Sequence, residues 1–284
     1  MPNYIAQAQN LLSDYYTVAA FNLRESLFRL GTGLRVNKPS DDFGSWQRAN
    51  SFDTKIRSIA VINRGIDEAR EIISTAETEA DEIIDMLNEM AATALSASTT
   101  VDQNSRNALQ TKFKQLVTDF TAWYPTLTDP ATGDHFFDGN YSRAVKLDES
   151  TTYTMNNITD LDGIDDMLIA LDFYTAGAPS QANATDAYNA IKTGASGIPL
   201  ATSAAGVVAS YSSTLNAAYN VNDSASTNLE AAKSTFIGLD EAEELAAYTE
   251  YEIRQQTTLA MLNSASTFRT NVLALFTKYL GNHG

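Results

Sequence analysis

Four groups of residues have the types and spacing that chemistry uses. Asp160-Leu161-Asp162-Gly163-Ile164-Asp165-Asp166 crowds carboxylates as a hard cation such as calcium requires. Its glycine stands at the fourth position where a calcium loop needs it at the sixth, and no glutamate follows at the twelfth. A turn opening a helix whose first residues favour acids accounts for the run better. Glu77, Glu79, Asp81, Glu82, Asp85 and Glu89 have the carboxylates of acid/base catalysis. Such chemistry needs a cleft that shifts their pKa values, and on an exposed helix they form a solvated face. Arg35 with Asp41 and Asp42 can fix a connector by local hydrogen bonds and can also contact a neighbouring subunit. Asn140, Asn157, Asn183 and Asn222 each begin an N-x-S/T triplet, which a chain rich in Asn, Ser and Thr also forms by chance.

The rest of the inventory argues against an enzyme. There is no phosphate-binding G-x-x-x-x-G-K loop, no nucleophile with a base and an orienting group, and no metal-ligand spacing. Cysteine is absent, and the two histidines, His135 and His283, lie far apart. No catalytic, cofactor-binding or metal residue is expected. With 284 residues the chain can form one large domain or two modest ones. Its formal charge of −16 and pI near 4.4 oppose phosphate backbones and anionic lipid, so neither nucleic acid nor a membrane is an expected partner. No stretch of about 18 apolar residues occurs, and Met1-Pro2-Asn3-Tyr4-Ile5 lacks the basic cluster that opens a signal peptide.

The elements that would position these residues are long helices. From Ile5 to Leu30 apolar residues step by 3 and 4, with Ile5, Leu12 and Ala19 on one row and Tyr16, Leu23 and Leu30 on the next. Gly31 and Gly33 end that helix, and Pro39 disfavours helical geometry at Lys38, so residues 31–44 read as an ordered connector. A second helix, from Ser45 to Ala97, carries the stripe Phe52, Ile56, Ile59, Ile66, Ile73, Ala80, Ile84, Leu87 and Ala91. It spans roughly 80 Å at 1.5 Å per residue, and needs a comparably long partner. Thr100-Val101-Asp102-Gln103 matches a capping box, opening a third helix that buries Leu109, Phe113, Leu116, Val117, Phe120 and Trp123 and stops at Pro125.

Turn signals at Asp129-Pro130, Thr132-Gly133-Asp134 and Asp138-Gly139-Asn140 predict a small β-hairpin near 133–156. A short helix is expected over Asp165–Tyr174, followed by a loop through Gly177 and Pro179. No charge occurs between Thr193 and Asn222, so this segment either lies against other helices or subunits or carries something on its hydroxyls. Helices follow over Ala201–Ile237 and Glu241–Leu280. The last has Leu259, Leu262, Leu273, Phe276 and Leu280 on one row and Met261, Phe268, Val272 and Leu275 on its neighbour. The fold expected is mainly α, a long antiparallel helical rod or coiled-coil bundle with a small hairpin. Its terminal helices are wider in apolar surface than one partner covers, which favours assembly with other copies. The divisions expected are 1–44, 45–238 and 239–284.

Two terminal segments resemble bacterial flagellin. Leu30-Gly31-Thr32-Gly33-Leu34-Arg35-Val36-Asn37-Lys38-Pro39-Ser40-Asp41-Asp42, followed by Ala49-Asn50, is similar to the pattern L-S-S-G-L-R-I-N-x-x-x-D-D and A-N. Ile253-Arg254-Gln255-Gln256, Met261-Leu262 and Asn271-Val272-Leu273-Ala274-Leu275 are similar to the ending I-L-Q-Q, V-L and N-V-L-S-L. The resemblance implies a subunit of the flagellar filament that leaves the cell by the flagellar export channel without a cleaved signal, and is extracellular. It implies terminal helices packed in the filament core through Ile5, Leu12, Tyr16, Leu23, Leu30, Leu259, Leu262, Val272, Leu273, Leu275 and Phe276. Leu34, Arg35, Asn37, Asp41 and Asp42 then form a spoke with subunit contacts. Further partners implied are an export chaperone and the junction and cap proteins, with O-linked glycan on Ser or Thr between 193 and 214. The interval between the rod halves is short, as in a minimal flagellin without large outer domains.

The resemblance has departures. The R-x-R-E-L-A patch read by an animal innate receptor is replaced by Met86-Leu87-Asn88-Glu89-Met90-Ala91. Met86 and Asn88 stand where arginines would, Glu89 is kept, and weak or no receptor activation is expected because the charge-assisted contacts are lost. Thr277 to Gly284 runs past the usual ending. The competing readings are the hook-filament junction protein, which shares the fold, and an adhesin or sheath component made of coiled helices.

Overall fold

The computed structural model describes residues 2–156, 158–171, 173 and 178–281. Met1, Asn157, Tyr174, Gly177 and His283, named above, lie outside the described residues, as does the end of the Thr277–Gly284 extension; so do the side chains of Ile5, Phe276 and Leu280. Among the described residues the elements are α1 (Pro2–Thr32), α2 (Phe43–Thr99), α3 (Gln103–Trp123), a 3-10 turn (Tyr124–Thr126), β1 (Ser142–Lys146), β2 (Thr152–Asn156), α4 (Asp162–Ala170), α5 (Gln181–Thr193), α6 (Ile198–Ile237) and α7 (Glu241–Gly281). The chain is mainly α with one small two-stranded sheet, the class expected from its periodicity. It forms two compact units, residues 1–55 with 228–284 and residues 56–227.

The central unit, 56–227, is organised by the stripe of α2. Ile66, Ala69, Ile73, Ala76, Ala80, Ile83, Leu87, Met90, Ala94 and Ala97 step by 3 and 4, and all are buried. Their alternation of large and methyl side chains lets helices approach closely. Antiparallel α3 supplies Phe113, Val117 and Phe120, and α6 supplies Ala201, Ala204, Val208 and Leu215, all buried. Helix α6 meets α2 where Asn222 Nδ2 donates to Asn63 Oδ1 (3.0 Å), and the same amide donates to the Leu147 carbonyl (2.8 Å).

Four elements depart from expectation. The cap of α3 is Asp102, whose Oδ2 accepts from Ser105 N at 2.7 Å, while the Thr100 hydroxyl turns back to the Ser96 carbonyl at 2.7 Å. A carboxylate is the stronger acceptor for an orphan N–H, so it displaces the hydroxyl expected from the capping box. The paired strands occupy only 142–156, in antiparallel register from Ser142 opposite Asn156 to Lys146 opposite Thr152. The preceding residues form a loop folded on itself, with Phe136 N donating to the Leu127 carbonyl at 3.1 Å. Helix α4 starts at Asp162 and reaches Leu171 as its cap, three residues earlier at its start than expected. Helix α5 stands between α4 and α6, in a stretch with no element expected beyond the short helix and loop; it is capped by Ser180 Oγ accepting from Asn183 N at 3.0 Å.

That loop is held by one buried carboxylate. Asp129 is fully buried. Its Oδ2 accepts from Tyr141 Oη and Arg143 Nη1, each at 3.0 Å, and its Oδ1 accepts from Ala131 N at 2.7 Å. Burial, and then the Asp129 charge, push the Tyr141 phenol upward, so it stays a donor. His135 closes the other side. Its Nε2 bonds the Tyr124 carbonyl (2.8 Å) as donor while Nδ1 accepts from Phe137 N (3.2 Å), the neutral tautomer that both partners require.

Candidate functional site

The terminal unit is built on an antiparallel pair, α1 against α7. Its direction is marked by Arg269 Nη1 on Gln9 Oε1 (3.1 Å) near one end and Arg29 Nη2 on Glu244 Oε1 (2.9 Å) at the other. Ser26, fully buried, donates to the Glu244 carbonyl at 3.4 Å. The pairing face of α1 holds Leu12, Tyr16, Ala19, Leu23, Ser26 and Leu30, half-buried or buried at the 3-and-4 steps of a helix seam. On α7, Leu262 and Val272 are half-buried, whereas Leu259, Leu273 and Leu275 are exposed.

Each helix therefore keeps a second apolar face that its partner does not cover. On α1 this is Leu11, Tyr15, Val18, Phe21, Leu27 and Phe28, each more than half exposed. On α7 Ile253, Met261, Phe268, Leu273 and Leu275 are likewise more than half exposed. Isolated apolar residues on a surface are ordinary, but contiguous rows of this size mark an interaction surface. A groove of about 280 Å³ between the helices is lined by Tyr15, Val18, Ala19, Tyr251, Ile253 and Met261.

The connector between α1 and α2 is ordered by its own polar residues. Gly33, at φ +67°, turns the chain out of α1 in a conformation that costs a non-glycine residue. Leu34 then pairs antiparallel with Gly238: Arg35 N donates to the Ile237 carbonyl (2.8 Å) and Leu239 N to the Gly33 carbonyl (3.2 Å). A Cβ at position 238 would stand 2.4 Å from the Ser234 carbonyl oxygen, so only glycine fits there. Arg35 Nη2 donates to the Phe236 carbonyl at 2.9 Å and lies 3.7 Å from Asp42. Asp41 Oδ2 accepts from the backbone N–H groups of Asn37 (2.9 Å) and Lys38 (3.0 Å), and these bonds lower its pKa. Asp42 caps α2 through Ser45 Oγ (2.7 Å) and Ser45 N (3.0 Å), the same bonds that lower its own pKa. Asn37 Nδ2 closes the turn on the Leu34 carbonyl at 2.8 Å.

The structure thus brings Leu34, Arg35, Asn37, Asp41 and Asp42 into one motif. Sequence reasoning missed Val36, Ala49 and Ile237, the buried satellite core beneath it, against which Leu34, Trp46 and Phe236 pack. A signal existed in the lone apolar Val36 between Arg35 and Asn37. Arg35→Ala is expected to reduce polymer yield in sedimentation far more than it reduces helix content, since it removes the guanidinium's contacts with the Phe236 carbonyl and Asp42 while the backbone pairing of Leu34 with Gly238 stays in place. Equal loss of both would assign Arg35 to general stability.

The other candidate groups have local roles. In the acidic run that opens α4, Asp160 accepts from Asp162 N (2.8 Å), Asp162 from Tyr124 Oη (3.1 Å) and Asp165 from Thr121 Oγ1 (2.9 Å), so the carboxylates serve separate donors. Among the described residues no three acids or histidines converge as a metal site. Asn222 is buried and hydrogen-bonded, and Asn183 belongs to the cap of α5. Met86 is half-buried, while Asn88 and Glu89 face solvent, Glu89 paired with Lys112 at 2.9 Å.

Glu79 differs from the acids around it. Its Oε2 is buried without a hydrogen-bond partner, and burial, reinforced by Glu82, pushes its carboxyl up to about 7. A carboxyl raised on folding favours the folded chain while protonated. That contribution is intact below the unfolded value of 4.5 and is lost as pH rises through about 7. Because the side chain is half-buried and partly screened, the effect is about 1 kcal/mol. Glu79→Gln is expected to raise the unfolding midpoint at pH 8 and to leave it nearly unchanged at pH 4. Equal shifts at both would show that the carboxyl is not the cause.

Contiguous apolar rows left open on paired terminal helices, beside an ordered connector, are the features of an interaction surface. Residues 3–122 match the family model of the bacterial flagellin N-terminal helical region. Over 263 residues, 89% of this chain and 91% of the relative, the sequence is 27% identical to a flagellin of Halalkalibacterium halodurans. Over 96 residues, 34% of this chain and 19% of the relative, it is 32% identical to Flagellin A of Helicobacter felis. A solved Vibrio parahaemolyticus structure assigned as a flagellar hook-associated protein covers 70% of this chain and 97% of its own, with 16% identity and a TM-score of 0.49. The chain is thus similar to bacterial flagellins along most of its length.

Proposed function

We propose that this chain is a flagellin and builds the flagellar filament by burying the open faces of α1 and α7 against other copies of itself. The observation that carries the reading is the exposure of Leu11, Tyr15, Val18, Phe21, Leu27 and Phe28 on a helix whose other face is already seated on α7. Apolar area removed from water stabilises by about 25 cal/mol per Å², so these rows favour a polymer over the free chain. In this reading residues 1–44 and 239–284 form the polymer core and its spoke, and 45–238 form the rod. The filament is an extracellular propeller that transmits torque, and an export chaperone and the junction and cap proteins are the further partners. O-linked sugar belongs on Thr202, Ser203, Ser210 or Ser213, exposed hydroxyls of the uncharged stretch of α6. An intact mass from native filaments above the sequence mass, removed on β-elimination, is the expected result, and a mass equal to the sequence removes the glycan.

Electron microscopy after seeding or salting-out tests the assembly itself. Long uniform tubes from the full chain, and none from a chain lacking residues 1–30, are expected. Failure of the full chain to extend any filament would overturn the reading.

A further inference from the structure

The two compact units differ sharply in charge. Residues 56–227 hold 9 of the 19 basic and 23 of the 35 acidic residues, a net charge of −14. Residues 1–55 and 228–284 hold the other 10 and 12, a net charge of only −2. The unit with the open apolar faces is thus almost neutral, and nearly all the charge of the chain resides in the other. Within the central unit Asp81 and Asp85 on α2, Asp186 on α5 and Asp223 on α6 face solvent. On the terminal unit the exposed acids are balanced by Arg24, Arg35, Lys38 and Arg254, which are exposed too.

We infer that the central unit is a repulsive surface between neighbouring subunits, and that it sets the ionic strength at which the polymer forms. The inference rests on the self-assembly proposed above and deepens it. Apolar burial in the terminal unit supplies attraction that salt scarcely weakens. Each added copy also brings a further −14 beside its neighbours, a repulsion that acts over a screening length of about 30 Å at 0.01 M salt, about 10 Å at 0.1 M and about 3 Å at 1 M. Attraction and repulsion therefore lie on different parts of one chain and respond differently to salt. The partner class is diffuse counterions, with no chelating geometry required. The critical concentration for polymerisation should fall steeply as salt rises from about 0.01 to 1 M.

The location of the charge can be tested apart from its total. One full-length variant carries Asp81→Asn, Asp85→Asn, Asp186→Asn and Asp223→Asn; a second carries Asp14→Asn, Glu230→Gln, Glu241→Gln and Glu243→Gln in the terminal unit. Both have the same net charge, −12. Coulombic repulsion scales with the product of the charges, so going from −14 to −10 removes about half of it. Critical concentrations are measured by sedimentation across the salt range for wild type and both variants. The expected result is a dependence on salt about half as steep for the central variant, with that of the terminal variant parallel to wild type. Equal slopes for the two variants, or a wild-type concentration indifferent to salt, would overturn the inference while leaving self-assembly standing. Absence of polymer from all three at every salt would overturn self-assembly and this inference together.

Discussion

Asp129→Ala is expected to destabilise the central unit by about 3–5 kcal/mol, the cost of removing one partner from a buried charge pair. The substitution leaves three donors facing a void: the Tyr141 hydroxyl, an Arg143 guanidinium nitrogen and the Ala131 N–H, bonded to the carboxylate at 3.0, 3.0 and 2.7 Å. The Tyr141 hydroxyl loses most, because Tyr141 is buried with Phe136 and Phe137 at 2% exposure or less, whereas the Arg143 side chain is 21% exposed and reaches water. Asp129→Asn keeps the shape and an oxygen acceptor but loses the charge, and should cost about half as much. Chemical denaturation followed by near-ultraviolet circular dichroism reports it, since Tyr124 and Tyr141 both sit in this layer. A change under about 0.5 kcal/mol for the alanine variant, the range of ordinary surface substitutions, would remove Asp129 from its central position.

Phe21→Ser with Phe28→Ser is expected to raise the critical concentration for polymerisation by about ten- to a hundredfold. Phe21 is 64% exposed and Phe28 51%, and with Arg24, Glu25 and Lys38 they line an open groove on α1. A phenylalanine contributes about 1.5–3 kcal/mol when it goes from exposed to buried. About half of that remains available at each position, or about 1.5–3 kcal/mol for the pair, at about tenfold per 1.4 kcal/mol. The free chain should keep its stability within about 0.5 kcal/mol, because neither ring is part of its core. The two readouts together separate an interface from a folding defect. An unchanged critical concentration with intact folding would take this face of α1 out of the polymer contact.

Much of the architecture could be read before any coordinates. The 3-and-4 steps of Leu12, Tyr16, Ala19 and Leu23 on α1, and the seven-residue steps of Ile66, Ile73, Ala80 and Leu87 on α2, identify helices and their buried sides because side chains three, four and seven apart share a face. The connector was legible for the same local reason. Asp41 reaches Asn37 and Lys38, and Asp42 reaches Ser45, within four positions, so their hydrogen bonds need only the chain between them. Helix α5 was hidden because its buried side is Ala184, Ala187 and Ile191 amid polar residues, too slight an apolar signal to stand out from a loop. The Thr100 capping box failed because two candidate caps stood two residues apart, and the pattern ranked the hydroxyl over the carboxylate.

What the sequence alone determined, then, is whatever short-range geometry and charge arithmetic fix: helices with apolar seams, an ordered turn after Gly33, an acidic chain without cysteine, and two terminal motifs at flagellin spacing. Tertiary structure decided the rest. It chose which of two apolar rows on α1 is seated on α7 and which stays open, and it joined Arg29 to Glu244, Asn63 to Asn222 and Asp129 to Arg143. It also separated a nearly neutral unit from one carrying −14. Those partners lie from 14 to 215 residues apart in the chain. Periodicity specifies that a face will be buried, but its partner is selected only when distant segments compete for it, and the free energy of that competition belongs to the packed chain.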